Sequence, residues 1–261
     1  MYFQKNLECL VIKMIDSHAH ILGEYYDDIG SFIEKLKEKD ILKVVNCADS
    51  IATSKEVLDL YRKYDGYLMP AIGIHPENVD LKENTIESLE ELLKENKVVA
   101  IGEIGLDYNF NDENKEEQKE FFNRQLDLAE KYNLPIIVHT RDSIQDCYDI
   151  LKKRKLKGVI HCYSGSIEMA REFIKLGYKL GIGGVLTFKN AKLYQVVEQI
   201  DMKDILLETD SPFLSPEPYR GRKNVPSNVY YVAKKIAEIK NIPLKDVMNI
   251  TTNNAKEVFD I

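Results

Sequence analysis

This chain of 261 residues lacks several features that would place it in a membrane or outside the cell. No apolar run approaches the roughly 18 residues that cross a bilayer. The N-terminus has no basic region followed by a clean apolar segment, since Glu8 and Lys13 interrupt it. The 4 cysteines form no Cys-x-x-Cys pair, which fits reduced thiols that serve as buried fillers. We therefore expect a cytoplasmic protein without an export signal or membrane anchor.

An excess of basic residues is also missing, because the formal net charge is -7. An acidic chain does not offer a wide nucleic-acid footprint, so a polyanionic substrate would need bound metal and a few local Arg or Lys residues. Hydrophobic residues at 44% and charged residues at 30% are ordinary globular values, which allow a sizeable core. No obligate protein partner is evident.

Short apolar segments alternate with amphipathic ones along the chain, as in a parallel sheet covered by helices on both faces. The predicted strands are Leu10–Ile15, Ile41–Asn46, Tyr67–Ile74, Lys97–Ile104, Pro135–Val138, Gly158–Ile160, Tyr178–Ile182 and Ile205–Leu207. Helix starts are predicted at Ser31, Ser50, Asn84 with Glu87, Ser227 and Pro243.

Eight such repeats over this length predict a single-domain (β/α)8 TIM barrel. An open doubly wound sheet is the alternative, but no glycine-rich phosphate loop follows the first strand. We expect the barrel to span residues 14–261, and residues 1–13 to be an N-terminal leader or an artificial extension.

The histidines are few, and their positions are not scattered. His18 and His20 stand two residues apart on extended backbone, so both rings point the same way. All 5 histidines, at 18, 20, 75, 139 and 161, fall at the ends of predicted strands. In a barrel these ends form one rim, where active sites are built. An isolated His-x-His is as often an ordinary pair of polar residues, but five convergent histidines favour a metal site.

Two carboxylates, Glu103 and Asp210, leave the fourth and eighth predicted strands on the same rim. Together with the histidines they exceed what one tetrahedral site needs, so we expect two divalent ions, Mg²⁺, Mn²⁺ or Zn²⁺. Glu103 is the candidate to bridge them through its two oxygens. Such a centre activates a water and neutralises charge on a phosphoryl or tetrahedral intermediate. Asp210 fits a ligand that also orients that water or takes its proton.

Several ordered blocks of the chain resemble the signature of TatD-type metal-dependent deoxyribonucleases, within the amidohydrolase superfamily. The blocks begin with Asp16–His20 (DSHAH) and continue with Gly73–Pro76 (GIHP), Gly102–Tyr108 (GEIGLDY), His139–Arg141 (HTR), His161–Gly165 (HCYSG), Glu208–Pro212 (ETDSP) and Thr251–Ala255 (TTNNA). The resemblance runs from about Met14 to Phe259. It implies a TIM barrel with two metal ions that hydrolyses phosphodiesters in DNA, often from a 3′ end.

The resemblance also assigns roles by matching position. It implies that one ion is held by His18, His20 and Asp210, the other by His139 and His161, with Glu103 bridging. It places His75 and Arg141 near the substrate phosphate, where a surface salt bridge is the alternative for the arginine. Glu208 is expected to orient a ligand rather than to bind metal.

One loop departs from the family pattern, because Val225 stands where an acidic residue is usual after the last strand. This change puts substrate preference in doubt more than catalysis. Arg220, Arg222 and Lys223 form the one concentrated basic group expected near the barrel mouth. They could contact a DNA backbone or form a solvated loop.

Two other functions stay open. A small-molecule amidohydrolase or an aminoacyl-ester deacylase would use the same metals and water, although many amidohydrolases bridge their metals with lysine where Glu103 stands. A nucleic-acid-binding protein with a structural metal and no turnover is the other. Among these functions, the motifs favour a DNA-cleaving hydrolase that acts as a 3′-5′ exonuclease.

Overall fold

The described part of the chain, residues 13–109 and 113–261 of a computed structural model, consists of alternating strands and helices. Residues 1–12 of the predicted leader lie outside it, as does Cys9. The strands are β1 Met14–Ala19, β2 Ile41–Cys47, β3 Leu68–Ile72, β4 Ala100–Asp107, β5 Ile136–Arg141, β6 Gly158–Ile160, β7 Tyr178–Ile182 and β8 Ile205–Leu207. The helices are α1 Ile29–Glu38, α2 Ile51–Lys63, α3 Ile86–Glu95, α4 Lys115–Tyr132, α5 Ile144–Leu151, α6 Ile167–Lys175, α7 Leu193–Gln199, α8 Val229–Lys240 and α9 Leu244–Phe259.

All eight strands are parallel and follow one another in chain order in one sheet. The first and last strands meet through a bridge between Ala19 and Ser211. Beside it, the His20 N–H donates to the Ser211 carbonyl at 2.7 Å, and the Asp210 N–H donates to the His18 carbonyl at 3.0 Å. The sheet therefore closes on itself, which confirms the predicted (β/α)8 barrel.

Side chains of the barrel pack in two layers because successive strand residues point to opposite faces. Val44 belongs to the larger cluster between strands and helices, whereas its neighbour Val45 belongs to a smaller cluster with Ile137. Val258 and Phe259 of α9 join the smaller cluster. This last helix thus covers the end of the barrel opposite the carboxyl ends of the strands.

The junction between β1 and β8 is polar, although it is buried. Asp16 is fully buried and accepts from the Thr209 N–H at 2.9 Å and from the Thr209 hydroxyl. The Ser17 hydroxyl donates to the Leu207 carbonyl at 2.9 Å. Burial raises the pKa of the Asp16 carboxyl well above its usual value, although the Thr209 hydrogen bonds oppose the rise. Side-chain hydrogen bonds therefore supplement the few backbone bonds at this junction.

Two predicted helix starts are confirmed. The Ser50 hydroxyl accepts from the Thr53 N–H before α2, and the Thr53 side chain returns a bond to the cap backbone. Pro243 immediately precedes α9.

Three predicted starts are wrong. Asp28 rather than Ser31 caps α1, and Ser31 supplies the N–H that Asp28 accepts. Thr85 rather than Asn84 caps α3, because the Asn84 side chain is committed to the Ile51 N–H at 2.9 Å. α8 begins at Val229, after a short 3₁₀ turn that contains Ser227.

Three strands that carry candidate ligands extend beyond their predicted ends. The first was expected to end at Ile15 and the fifth at Val138, but β1 runs to Ala19 and β5 to Arg141, so His18 and His139 lie inside strands. The fourth strand was expected to end at Ile104, but β4 runs to Asp107. Glu103 therefore lies well inside the strand rather than at its end. Across the described residues, no helix has both the length and the apolar character needed to traverse a lipid bilayer.

Candidate metal centre

The carboxyl ends of five strands bring the six predicted metal ligands together. His18 lies in β1, Glu103 in β4 and His139 in β5. The other three follow a strand closely: His20 after β1, His161 after β6 and Asp210 after β8. The backbone of Asp210 has φ 56°, in the left-handed region that Asp tolerates better than most residues. Its carbonyl accepts from the Phe213 N–H at 2.8 Å, so a tight turn presents the carboxylate.

Glu103 is the centre of this group, since every histidine of the chain approaches its carboxylate. Its Oε2 lies 3.2 Å from His18 Nε2 and 3.6 Å from His20 Nε2. The other oxygen, Oε1, faces a separate set: His139 Nδ1 at 2.7 Å, His161 Nε2 at 3.2 Å and His75 Nε2 at 3.7 Å. Glu103 is buried, with 3% of the residue exposed. Its two oxygens therefore face two different sets of imidazoles.

Asp210 completes the group on the Oε2 side. Its Oδ1 lies 3.6 Å from His18 Nε2 and 3.5 Å from His20 Nε2. The imidazoles of His18 and His161 are stacked with centroids 3.8 Å apart, which connects the two groups. The side chain of Asp210 is 15% exposed, against 5% for Glu103, so it borders the opening of the site.

The donor atoms fit divalent metal. Three overlapping sets each gather their ligand atoms within 4.8 Å of one another: His18 with His20 and Glu103, His18 with His161 and Asp210, and His75 with Glu103 and His139. Imidazole nitrogens and carboxylate oxygens are ligands that Zn²⁺ and similar ions accept. One member was not expected, because the sequence placed His75 at the substrate phosphate rather than within reach of a ligand set.

The outer nitrogens of the first two histidines are held by a single residue, Cys47, at the end of β2. The Cys47 carbonyl oxygen lies 3.0 Å from His20 Nδ1, and its Sγ lies 3.4 Å from His18 Nδ1. Such partners fix ring orientation and leave each Nε2 facing the site. Cys47 was expected only to fill space. The thiol is buried, and burial raises its pKa well above the usual value.

Carboxylates lie beside the outer nitrogens of His139 and His161. Asp107 Oδ2 lies 2.9 Å from His139 Nε2, and Glu208 Oε1 lies 3.3 Å from His161 Nδ1. Glu208 Oε1 also accepts from the Cys162 N–H at 2.6 Å, and its expected role in orienting a ligand stays a prediction. Asp107 belongs to the Gly102–Tyr108 block, and the sequence alone assigns it no role. It stands four residues after Glu103, on the same strand, which is the one sequence signal that could have drawn attention to it.

The charges of the group oppose one another. Burial would raise the pKa of Glu103, but His161, His18 and His75 lower it well below its usual value. Burial likewise opposes ionisation of Asp210, and the hydrogen bond with His20 lowers its pKa. Both carboxylates are therefore ionised at neutral pH. Burial and the neighbouring His139 lower the pKa of His75 to about 3, so that imidazole is neutral.

His139 lies between two carboxylates. Burial would lower its pKa, but hydrogen bonds with Asp107 and Glu103 raise it to about 9. A cation that binds this imidazole displaces a proton, since a histidine ligand must be neutral.

Arg141, one of the predicted substrate-binding residues, ends β5 beside this group. Its Nη1 lies 4.0 Å from Asp107 Oδ2, and its side chain is 57% exposed. The guanidinium therefore remains accessible at the edge of the site. An exposed pair at this distance contributes little to stability.

Arg220 and Arg222 lie farther from the ligands. The Arg220 guanidinium is 4.2 Å from the centroid of the Phe188 ring. Arg222 lines a groove of about 610 Å³ together with Glu38 and Asp40. Among the contacts of the described residues, neither guanidinium touches the six ligand side chains.

Asn224 holds the loop after β8 through its side-chain hydrogen bonds. It precedes Val225, which stands where the family usually has an acidic residue. Asn224 is buried, and its Nδ2 donates to the carbonyls of Thr209 at 2.8 Å and Phe213 at 2.7 Å. Its Oδ1 accepts from the Val225 N–H at 2.9 Å. The segment that carries Asp210 is therefore supported by the neighbour of Val225 rather than by Val225 itself.

Comparisons with known proteins agree on one family. The model of the TatD related DNase family matches residues 15–260. A metal-dependent hydrolase of Bacillus subtilis, YabD, is 42% identical over 254 residues, covering 95% of this chain and 99% of that protein. The human deoxyribonuclease TATDN3 is 30% identical over 263 residues, covering 95% of each. The crystal structure of the TatD homolog YjjV of Escherichia coli superposes with a TM-score of 0.89 at 29% identity, covering 97% of this chain and 100% of that one.

Proposed function

This chain belongs to the TatD related DNase family of metal-dependent hydrolases, and from that membership we propose that it cleaves phosphodiester bonds in DNA as a 3′-5′ exonuclease. The observation that carries the proposal is the position of Glu103, whose Oε2 faces His18 and His20 while Oε1 faces His139 and His161. A carboxylate between two imidazole groups is suited to bridge two ions.

In this proposal His18, His20 and Asp210 hold one ion, and His139 and His161 hold the other. His75 is an additional ligand candidate, since its Nε2 lies 3.7 Å from Glu103 Oε1. When bound, the ions supply Lewis-acid activation of water and neutralise charge on the phosphodiester. Mg²⁺, Mn²⁺ and Zn²⁺ are the candidates.

The chain's own groups divide the remaining work. Asp210 is ionised and lies at the solvent-facing edge of the site, beside His18 and His20. It is therefore our candidate to accept a proton from the attacking water. The exposed Arg141 is placed to bind a phosphate oxygen through its guanidinium. Arg220 and Arg222 are assigned to the DNA backbone beyond the reacting nucleotide, because they lie away from the ligands.

The test uses metal-stripped protein that is re-loaded with each candidate ion, and single-stranded DNA labelled at either end. Removal of nucleotides from the 3′ end shortens a 5′-labelled strand one step at a time and releases a 3′ label at once. We expect this pattern from the wild type and a loss of at least about 10²-fold in kcat for Glu103→Gln and Asp210→Asn.

Asp146→Asn is the matched control, because Asp146 accepts from the Tyr108 hydroxyl at 2.7 Å and pairs with Lys119 without contacting a histidine. It should retain wild-type activity. A folded, metal-loaded wild type that cleaves no DNA would overturn the proposal and direct attention to amide and aminoacyl-ester substrates. Wild-type rates in Glu103→Gln or Asp210→Asn at full metal loading would overturn the residue roles.

A further inference from the structure

An exposed aromatic ring stands at the edge of the candidate metal centre. Phe213 is 48% exposed, and its ring meets that of His20 edge-to-face with centroids 6.1 Å apart. The ring of Tyr25 also packs edge-to-face against it, with centroids 5.7 Å apart. The nearest candidate ligand and the aromatic pair therefore form one continuous surface that opens to solvent.

The backbone holds the Phe213 ring in this position. Its N–H donates to the Asp210 carbonyl at 2.8 Å, and its carbonyl accepts from Asn224 Nδ2 at 2.7 Å. Asn224 itself is buried and also anchors Thr209. Tyr25 is fixed in a similar way, since the Lys223 ammonium donates to its carbonyl. A single exposed apolar side chain is ordinary, but this ring is anchored against a candidate metal ligand, where it is available to contact a bound molecule.

Other exposed aromatic side chains lack this setting. Tyr194 on α7 is 47% exposed, and its described hydrogen bond is with the adjacent Gln195. Tyr230 is 41% exposed and lines the separate groove with Arg222. Of the large hydrophobic side chains described as exposed, Phe213 is the one whose ring contacts a candidate metal ligand.

We propose that Phe213, with Tyr25 against it, is a stacking surface for the base of the terminal nucleotide, an inference that rests on the proposed hydrolysis of DNA. A base is joined to its phosphate through a single sugar, so a phosphate beside His20 and Asp210 brings the attached base next to this ring. Aromatic stacking accepts every base because each has a π-face. It also requires an unpaired base, so the surface selects single-stranded or frayed ends without selecting sequence.

The experiment compares two substrates on four proteins. The substrates are single-stranded oligonucleotides that differ only in the 3′-terminal residue, which either carries a base or is a stable abasic analogue. The proteins are the wild type, Phe213→Leu, Phe213→Tyr and the control Tyr194→Leu, all metal-loaded and checked for equal thermal unfolding. Leucine keeps an apolar side chain but removes the π-face, whereas tyrosine keeps the π-face.

For the wild type we expect kcat/KM to be about tenfold or more higher on the base-bearing end than on the abasic end. Phe213→Leu should lose that preference by slowing only on the base-bearing substrate, and Phe213→Tyr should restore it. Tyr194→Leu should match the wild type. An equal loss on both substrates would show instead that Phe213 supports Asp210 or His20, and no change on either would also overturn the stacking surface.

Failure of the proposed function gives a different result. If the wild type cleaves neither oligonucleotide, the hydrolysis of DNA is wrong, and the same comparison is made on binding affinity. Tighter binding of the base-bearing strand that disappears in Phe213→Leu would still support the stacking surface. Equal affinity for both strands in every protein would overturn it independently of catalysis.

Discussion

Replacing Asp107 by Asn should weaken metal binding at the His139 side of the candidate centre without disturbing the fold. Asp107 is fully buried; its Oδ2 lies 2.9 Å from His139 Nε2 and its Oδ1 accepts from the Asn109 N–H at 2.9 Å. Asparagine has nearly the same volume, and its carbonyl can still accept from the imidazole N–H, but its amide group then faces the Asn109 N–H and that hydrogen bond is lost. The substitution therefore removes a charge and one surface-turn hydrogen bond while it keeps the size of the side chain.

The size of the effect follows from what the charge does to His139. Burial alone would lower the pKa of this imidazole, and the hydrogen bonds with Asp107 and Glu103 raise it to about 9. Loss of the Asp107 charge should move that pKa down and make the ring a poorer electron donor to a metal. Changes to such outer partners typically cost about 10- to 100-fold in metal affinity, or about 1.4–2.7 kcal/mol.

The assay is competition for Zn²⁺ or Mn²⁺ between the protein and a chelator of known affinity, with Asp146→Asn as control. That second carboxylate lies nearby, bonded to the Tyr108 hydroxyl, and does not touch His139. We expect the ion on the His139 side to bind about 10- to 100-fold more weakly in Asp107→Asn and unchanged binding in the control. Unchanged affinity in a folded Asp107→Asn protein, or an equal loss in the control, would refute the reasoning.

Three further predictions concern stability and packing. Phe122→Ala removes a fully buried ring from the core and should lower the free energy of unfolding by about 3–5 kcal/mol in urea titration, and a loss under 1 kcal/mol would contradict the packing. Burial raises the pKa of four tyrosines. Above about pH 10 these hydroxyls lose their protons in the unfolded chain but keep them in the folded protein, so the free energy of unfolding should fall by up to about 1.4 kcal/mol per pH unit for each tyrosine. These tyrosines are Tyr26, Tyr67, Tyr163 and Tyr178, and a flat stability profile from pH 9 to 11 would contradict their burial. Gly181→Ala places a methyl group against the Glu208 carboxylate, so it should displace the partner of His161 and lower metal affinity, whereas an unchanged affinity would show that Glu208 can move aside.

The barrel was readable from the sequence because each strand is a short apolar run between amphipathic segments. The histidine positions were readable too, since strand ends of a barrel share one rim. Polar residues inside a strand are harder to place. Glu103 was expected to leave β4 after an apolar run, whereas it lies within a strand that continues through Asp107. An alternating apolar pattern does not predict a strand whose polar side chains are buried against histidines of other strands.

The partners of the histidines could not be predicted from the sequence. Cys47 resembled a filler because its contacts with His18 and His20 depend on which strand lies beside β1 and in what register. The same holds for Asp107 and His139, which are joined only by the pairing of β4 with β5. The helix start predicted at Asn84 was wrong for a related reason. The Asn84 side chain accepts from the Ile51 N–H, 33 residues away, instead of capping its own helix. Contacts across distant segments override local preference.

The junction between β1 and β8 has a consequence for how the chain resists opening. Backbone pairing there is a single bridge with its flanking bonds, while the candidate ligands His18 and His20 stand on one side and Asp210 on the other. An ion held by both sides acts as a cross-link that closes a loop of nearly the whole domain. Because the entropy lost on closing a loop grows with its length, such a cross-link restricts the unfolded chain strongly. The metal ion would then also hold the barrel closed between β1 and β8. Its removal should expose the amides of β1 to hydrogen exchange before those of the middle strands.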